Sequence, residues 1–218
     1  MKKLLLIAFA ATMFTACNQA PKTAQEAGEV KQATNEASVF TVNTQNSIVN
    51  WKGAKITETV HYGTVNITEG SLAFNGGNLE AGNFTINMNS LVSLDLNEEN
   101  GKSKLEGHLK SADFFMVEQY PVAKFEITGA EVLTGTEGAT HTISGNLTIK
   151  DVTNGISFPA NVVLTESGVT ATAAFMINRN EWGVIWGGTK TEQGIKDFLQ
   201  NNLIKDEIGF EVKLVAAV

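Results

Sequence analysis

Along most of this chain apolar residues alternate with polar ones, the period of a strand with one face buried. Phe84, Ile86 and Met88 share one face of a segment whose other face is Thr85, Asn87 and Asn89. Ile143, Leu147 and Ile149 stand against Thr142, Ser144, Asn146 and Thr148. Phe125 with Ile127, Phe175 with Ile177, and Phe210 with Val212 and Leu214 keep the same phase. Val65-Ile67, Leu72-Phe74 and Val162-Leu164 add shorter pieces, and turn signals fall at Asn75-Gly76-Gly77, Gly135 to Gly138, Asn154-Gly155 and Ser167-Gly168. The pattern predicts an all-β chain of roughly eight antiparallel strands, as an up-and-down barrel or a sandwich. Alternation alone would also suit an outer-membrane barrel, but many of these segments fall short of the ~9–11 residues needed to cross a bilayer. A soluble barrel with an apolar inside is the expectation.

One stretch has a different period. Leu105, Leu109, Ala112 and Met116 recur at helical spacing, with His108 and Phe115 on the same face, predicting a helical insertion over about 103–119. Ser103 followed by Glu106 reads as a capping box, and Ser111 before Asp113 as the cap of a second short turn. Tyr120 ahead of Pro121 is biased to extended geometry and ends the element. Its apolar face needs a partner, which the mouth or flank of the barrel supplies.

The N-terminus reads as an address. Lys2 and Lys3 precede an apolar run from Leu4 to Phe14 that is too short to span a bilayer, the form of a secretory signal over residues 1–16. Phe14-Thr15-Ala16-Cys17 resembles the bacterial lipobox, with Phe where Leu is usual, which makes Cys17 the expected lipidation site. It is the only cysteine, so no internal disulfide forms. Several acyl chains, at about 0.8 kcal/mol per buried methylene, suffice for stable anchoring. Residues 17–38 are rich in Ala, Gln, Glu, Lys, Thr and Asn, and read as a flexible tether ahead of one domain, 39–218. Without the signal, 16 basic residues become 14 against 23 acidic ones, a net of −9. That balance disfavours nucleic acid and anionic membrane surfaces as primary partners.

Several segments carry a family resemblance. The run Leu105-Glu106-Gly107-His108-Leu109-Lys110-Ser111-Ala112-Asp113-Phe114-Phe115, then Tyr120-Pro121 and Phe125, resembles the signature of the YceI-like family. Trp51-Lys52, Gly63-Thr64-Val65, Gly145-Asn146-Leu147-Thr148-Ile149-Lys150-Asp151 and Ile177-Asn178-Arg179-Asn180-Glu181-Trp182-Gly183 extend the likeness over nearly the whole domain. Met116 departs from it, standing where the family often has Asp. The resemblance implies a lipocalin-like barrel of eight antiparallel strands with a helical insertion. It also implies a long hydrophobic tunnel for polyisoprenoid or similar amphiphilic lipids, in a family that is periplasmic or secreted, commonly dimeric and not known for catalysis.

Inward phase makes Phe84, Ile86, Met88, Phe125, Ile127, Leu147, Ile149, Phe175 and Ile177 the candidate tunnel lining, though each is equally a core residue by default. The helix adds Leu109, Phe114, Phe115 and Tyr120 near the opening. Trp182, in the run WGVIWGG, belongs either to a gate over the tunnel or to a tryptophan-anchored turn. Arg179 is in phase with Ile177, so it points inward and needs partners. It is a candidate for a phosphate head group, or for stacking on an aromatic such as Trp51. His108 is a candidate head-group contact or a structural hydrogen bond to nearby backbone. The histidines lack metal-ligand spacing, so no metal site and no required cofactor is expected. The expected function is non-catalytic binding, sequestration or transport of an isoprenoid or quinone-like lipid by a lipoprotein facing the periplasm, held at the outer membrane. The alternatives are an interaction lipoprotein with a solid barrel core and a small enzyme acting on a bound lipid. The polar stretch Thr189 to Leu203 has the look of a short helix.

Overall fold

The computed structural model describes residues 24–187 and 203–218. The signal, the lipobox with Cys17, and nearly all of the polar 189–203 stretch lie outside the described residues. The strands are β1 (Ser38–Val42), β2 (Ile48–Ala54), β3 (Val60–Asn75), β4 (Asn78–Ser93), β5 (Val122–Val132), β6 (His141–Ile149), β7 (Val152–Thr165), β8 (Gly168–Asn178) and β9 (Glu207–Ala217). Helix α1 (Lys102–Lys110) lies between β4 and β5, and a 3-10 turn (Arg179–Trp182) follows β8.

All pairings are antiparallel. Strands β2 to β9 each pair with the next, and β9 returns to β2, closing an eight-stranded barrel. β1 continues the position of β2 towards the far end, pairing with β3 on one side and β9 on the other. Ser47, 3% exposed, holds the break between them. Its hydroxyl accepts from Val215 N at 2.9 Å and donates to Val215 O at 3.3 Å.

Strands are longer than the sequence pieces implied: β3 and β4 run 16 residues each and β7 runs 14. Length therefore does not argue against a membrane barrel, but sidedness does. Lys124, Glu126, Glu211 and Lys213 alternate outward with inward Phe125, Ile127, Phe210 and Val212, the reverse of an outer-membrane barrel. Asn154-Gly155 is not a turn. The β6–β7 hairpin turns at Lys150 and Asp151, both at positive φ (52° and 57°), and Gly155 lies inside β7.

The helical insertion is shorter than its spacing predicts. α1 ends at Lys110 because Ser111 is extended (φ −71°, ψ 175°), and turns carry the chain to Tyr120. The capping box does not form, since the Ncap is Gly101 at φ 100° and Ser103 lies inside the helix, donating to Glu98. Glu106 instead accepts from the main-chain N–H of fully buried Ser93 at 2.8 Å, tying α1 to the end of β4. The second turn does form, with Ser111 Oγ accepting from Asp113 N at 3.3 Å. Ala112 is exposed and Met116 stands at φ 47°, so the apolar face reduces to Leu105 and Leu109.

Residues 24–37, read from composition as tether, form a strap across the outside of the barrel. β7 pairs with β8 only from Ala160 to Thr165 and parts from it before Pro159, which has no N–H to give. On the edge left free, Gln25 exchanges two main-chain hydrogen bonds of 2.8 Å with Gly155. A Cβ at Gly155 would sit 2.6 Å from Glu26 O, so glycine admits the strap. Asn146, on the outer face of β6 yet 6% exposed, then clamps Gly28, accepting from its N–H and donating to its C=O, each at 2.8 Å. Lys31 N donates to Ile127 O at 3.0 Å, beside the β5 bulge, and Thr34 bonds Glu80 and Asn75 at the far end. Composition hid this because the strap is held by hydrogen bonds rather than by apolar burial.

Candidate functional site: a hollow, phenylalanine-lined lumen

The two barrel ends differ. At the end formed by the β3–β4 and β7–β8 turns, Phe40 meets Phe74 edge-to-face at 5.8 Å, and Val42, Val169 and Ala216 are buried beside them, so that end is closed. The other end carries α1 and the 3-10 turn. From it a cavity of about 610 Å³ runs into the barrel, within the ~300–1,000 Å³ usual for small-molecule sites.

The interior is hollow rather than solid. Phe158, Ala171, Ala173, Phe175, Phe210 and Val212 face inward and line the cavity, yet are only partly buried, because their inner surfaces border the void. This removes the basis of the solid-core alternative. A belt of phenyl rings crosses the wall: Phe84–Phe125 (6.2 Å), Phe125–Phe158 (5.7 Å), Phe158–Phe175 (4.2 Å) and Phe175–Phe210 (5.7 Å). β6 contributes no ring to it. A Cβ at Gly145 would lie 2.2 Å from Phe125 Cζ, so the bare glycine is what lets Phe125 lie across β6 and reach Phe158.

Of the lining expected from sequence, Phe84, Ile86, Met88, Leu109, Phe114, Phe115, Phe125, Ile127, Leu147, Ile149 and Phe175 border the cavity, with His108 and Arg179. Three expected residues do not. Ile177 is buried below the cavity wall, 3% exposed. Trp182 is core, 1% exposed, its indole N–H donating to Leu147 O at 2.8 Å across the β7–β8 gap. This supports the anchored-turn reading of its segment over a gate. Tyr120 lies outside the lining, its hydroxyl accepting from Gln119 Nε2 at 3.0 Å. Sequence reasoning missed Phe158, Phe210, Trp51 and Trp186 as lining residues. Phe210 was legible from its alternation with Val212 and Leu214; Phe158 was masked by Pro159 and by the false turn at Gly155.

Arg179 is a structural clamp. Its guanidinium donates to the main-chain carbonyls of Lys205 (3.1 Å), Val184 (2.6 Å), Trp186 (2.9 Å) and Ile204 (3.3 Å), with Asp206 at 3.8 Å. Burial lowers its pKa and the Asp206 charge partly offsets this. The expected stack on Trp51 is replaced by these carbonyls, which take four of the five guanidinium N–H groups, while the fifth is on the nitrogen that faces Asp206. His108 bonds the Asp113 carboxylate through Nε2 at 3.2 Å rather than the backbone, and its ring lies edge-on to Phe114 (5.1 Å) and Trp186 (4.3 Å). His61, also at the mouth, gives Nδ1 to Asp95 at 2.7 Å. Burial pushes the Asp95 carboxyl up, but hydrogen bonds from His61, Tyr62 N and the Ser93 hydroxyl, with the His61 charge, hold it below the ordinary range. Lys55, Asn100, Lys104, Lys205 and Glu207 complete a polar mouth over an apolar barrel. Among the described residues, no group of three or more His, Cys, Asp or Glu is placed to hold a metal ion.

The comparisons with known proteins agree with this architecture. A UPF0312 protein of Azotobacter vinelandii is 32% identical over 119 residues, 55% of this chain and 58% of that protein. Protein YceI of Salmonella newport is 30% identical over 121 residues, again 55% and 58%. The chain thus matches little more than half the length of these curated relatives. Among solved structures, BcnA of Burkholderia cenocepacia superposes with a TM-score of 0.60 at 18% identity, over 81% of this chain and 99% of that one. A polyisoprenoid-binding domain from Saccharophagus degradans gives 0.55 at 16% identity, over 82% and 98%. Residues 40–216 match the YceI-like domain, and the chain belongs to that family.

Proposed function

We propose that this protein is a non-catalytic carrier that takes the tail of an isoprenoid or quinone-like lipid into the barrel, tethered to the membrane through a lipidated Cys17. The observation that carries the reading is the hollow, phenylalanine-lined lumen of about 610 Å³, open beside α1. A five-carbon unit gains about 3–4 kcal/mol on leaving water for such a wall, with no polar contact needed. The polar mouth, with His61, His108 and Asn100, suits a head group that stays near water. The polyisoprenoid-binding domain of Saccharophagus degradans shares the fold and supports the choice of ligand. Absence of catalysis is supported by the spending of Arg179 on main-chain carbonyls. The lipobox supports a membrane-anchored lipoprotein that faces the periplasm. Lipid extraction and native mass spectrometry of the purified mature protein test the reading. A co-purified isoprenoid is expected; an empty protein that also fails to take up added polyprenol or ubiquinone overturns it.

A further inference from the structure

We propose that the open end of the barrel is a membrane-docking face, held against the bilayer by the strap. This rests on the anchor reading above and goes beyond it by fixing which way the barrel points. The strap begins at the open end. Ala24 N donates to the Glu181 carboxylate at 2.6 Å, beside the 3-10 turn, and Gln25 pairs with Gly155, three residues into β7. From there the chain runs away from the mouth to Thr34 and β1 at the closed end.

Chain length sets the consequence. A free tether over residues 17–38 would reach about 70 Å when extended, enough for any orientation. With the strap seated, only the seven steps from Cys17 to Ala24 separate the acylated residue from the barrel, at most about 25 Å. They leave from the rim of the mouth, so the closed end cannot be the end that touches lipid.

The rim is built for contact with an apolar phase. Ile56, Val60, Leu94, Val122, Val152 and Ile185, at strand tips and loops around the open end, are exposed. Val132 and Leu164 are exposed at the closed end too, so it is the strap that selects between the ends. The rim is not basic, since Glu98, Glu99, Glu106, Asp113 and Glu118 along its α1 side outnumber Lys102, Lys104 and Lys110. Docking is therefore apolar, by shallow insertion of side chains into the interface of a zwitterionic bilayer. A mouth so placed lets a lipid tail pass between bilayer and lumen without crossing water.

The test uses the acylated protein, purified from membranes and reconstituted into phosphatidylcholine vesicles. With Cys17 blocked by its thioether, Leu94→Cys and Ile185→Cys report the rim with an environment-sensitive fluorophore, and Val132→Cys and Leu164→Cys report the closed end. Rim probes are expected to shift to the blue and to be quenched several-fold more strongly by doxyl-labelled lipid than closed-end probes. Asn146→Ala with Glu80→Ala loosens the strap and reduces that difference. Flotation with the vesicles but equal quenching at both ends overturns the docking and leaves the anchor standing. Failure to float overturns the anchor and the docking together. The lipid content of the lumen, measured separately, is independent of either result.

Discussion

Ala173→Phe tests the lumen most directly. Ala173 lies inward on β8, across from Ala160 on β7 and Val212 on β9, with Ala171 two residues away, and these positions line the void. A phenyl ring there occupies roughly the space of one five-carbon unit. At about 0.8 kcal/mol per carbon, excluding one unit removes about 4 kcal/mol of binding, close to a 1,000-fold loss of affinity. The same substitution in a packed barrel would force neighbours off their rotamers at a cost of about 1–3 kcal/mol. In a hollow one it leaves the melting temperature of the delipidated protein almost unchanged. Two measurements on one variant therefore suffice: bound lipid by extraction and mass spectrometry, and melting without lipid. Retained lipid at wild-type affinity refutes the lumen as the site. Loss of lipid together with a melting temperature lowered by several degrees refutes the claim that the space is empty.

The other predictions address the frame around the lumen. Gly145→Ala drives a methyl group into Phe125, so the phenyl belt breaks between Phe125 and Phe158 at a cost of about 1–3 kcal/mol, read by denaturant unfolding. Arg179→Met orphans four carbonyls and a carboxylate, costing about 3–5 kcal/mol, or roughly 6–20 °C of melting temperature; Arg179→Lys should not restore it, because one ammonium lacks the fork. Asn146→Ala removes both hydrogen bonds to Gly28, about 1–3 kcal/mol, and limited proteolysis should then cut within residues 24–37 while the barrel stays intact. In acid two groups act in sequence. Burial depresses the His141 pKa below 6.5, so stability falls as pH drops below that value and the unfolded chain takes up the proton; His141→Gln removes this step. Asp95, depressed below 3.8, stabilises the fold above that pH and loses its contribution as pH falls through the folded value; Asp95→Asn lacks this second step in a melting series.

The barrel was legible because its wall has one apolar and one polar face, and period two records that difference residue by residue. Phe84, Phe125 and Phe175 were in phase and line the void. β1 and β2 were harder to see, since they are two halves of one strand position broken at Ser47, each too short to show alternation. The helix was overlong on paper because spacing sees Ala112 and Met116 but not the extended backbone at Ser111. Met116 sits at φ 47°, a conformation a short polar side chain tolerates better than Met.

What no local pattern carried was emptiness. A hollow barrel and a filled one share the same alternation, and the difference lies in which residues face each other across the interior. Here small Ala160, Ala171 and Ala173 cluster on adjoining strands, while the large rings follow one another from strand to strand, Phe158 stacked on Phe175 within 10° of parallel. At the closed end Phe40 and Phe74 instead meet edge to face, 89° apart, and fill the interior. Towards that end the cavity is lined by Leu72, Leu79, Val162 and Leu214, so these side chains, backed by the Phe40–Phe74 pair, set the depth to which a lipid tail can enter.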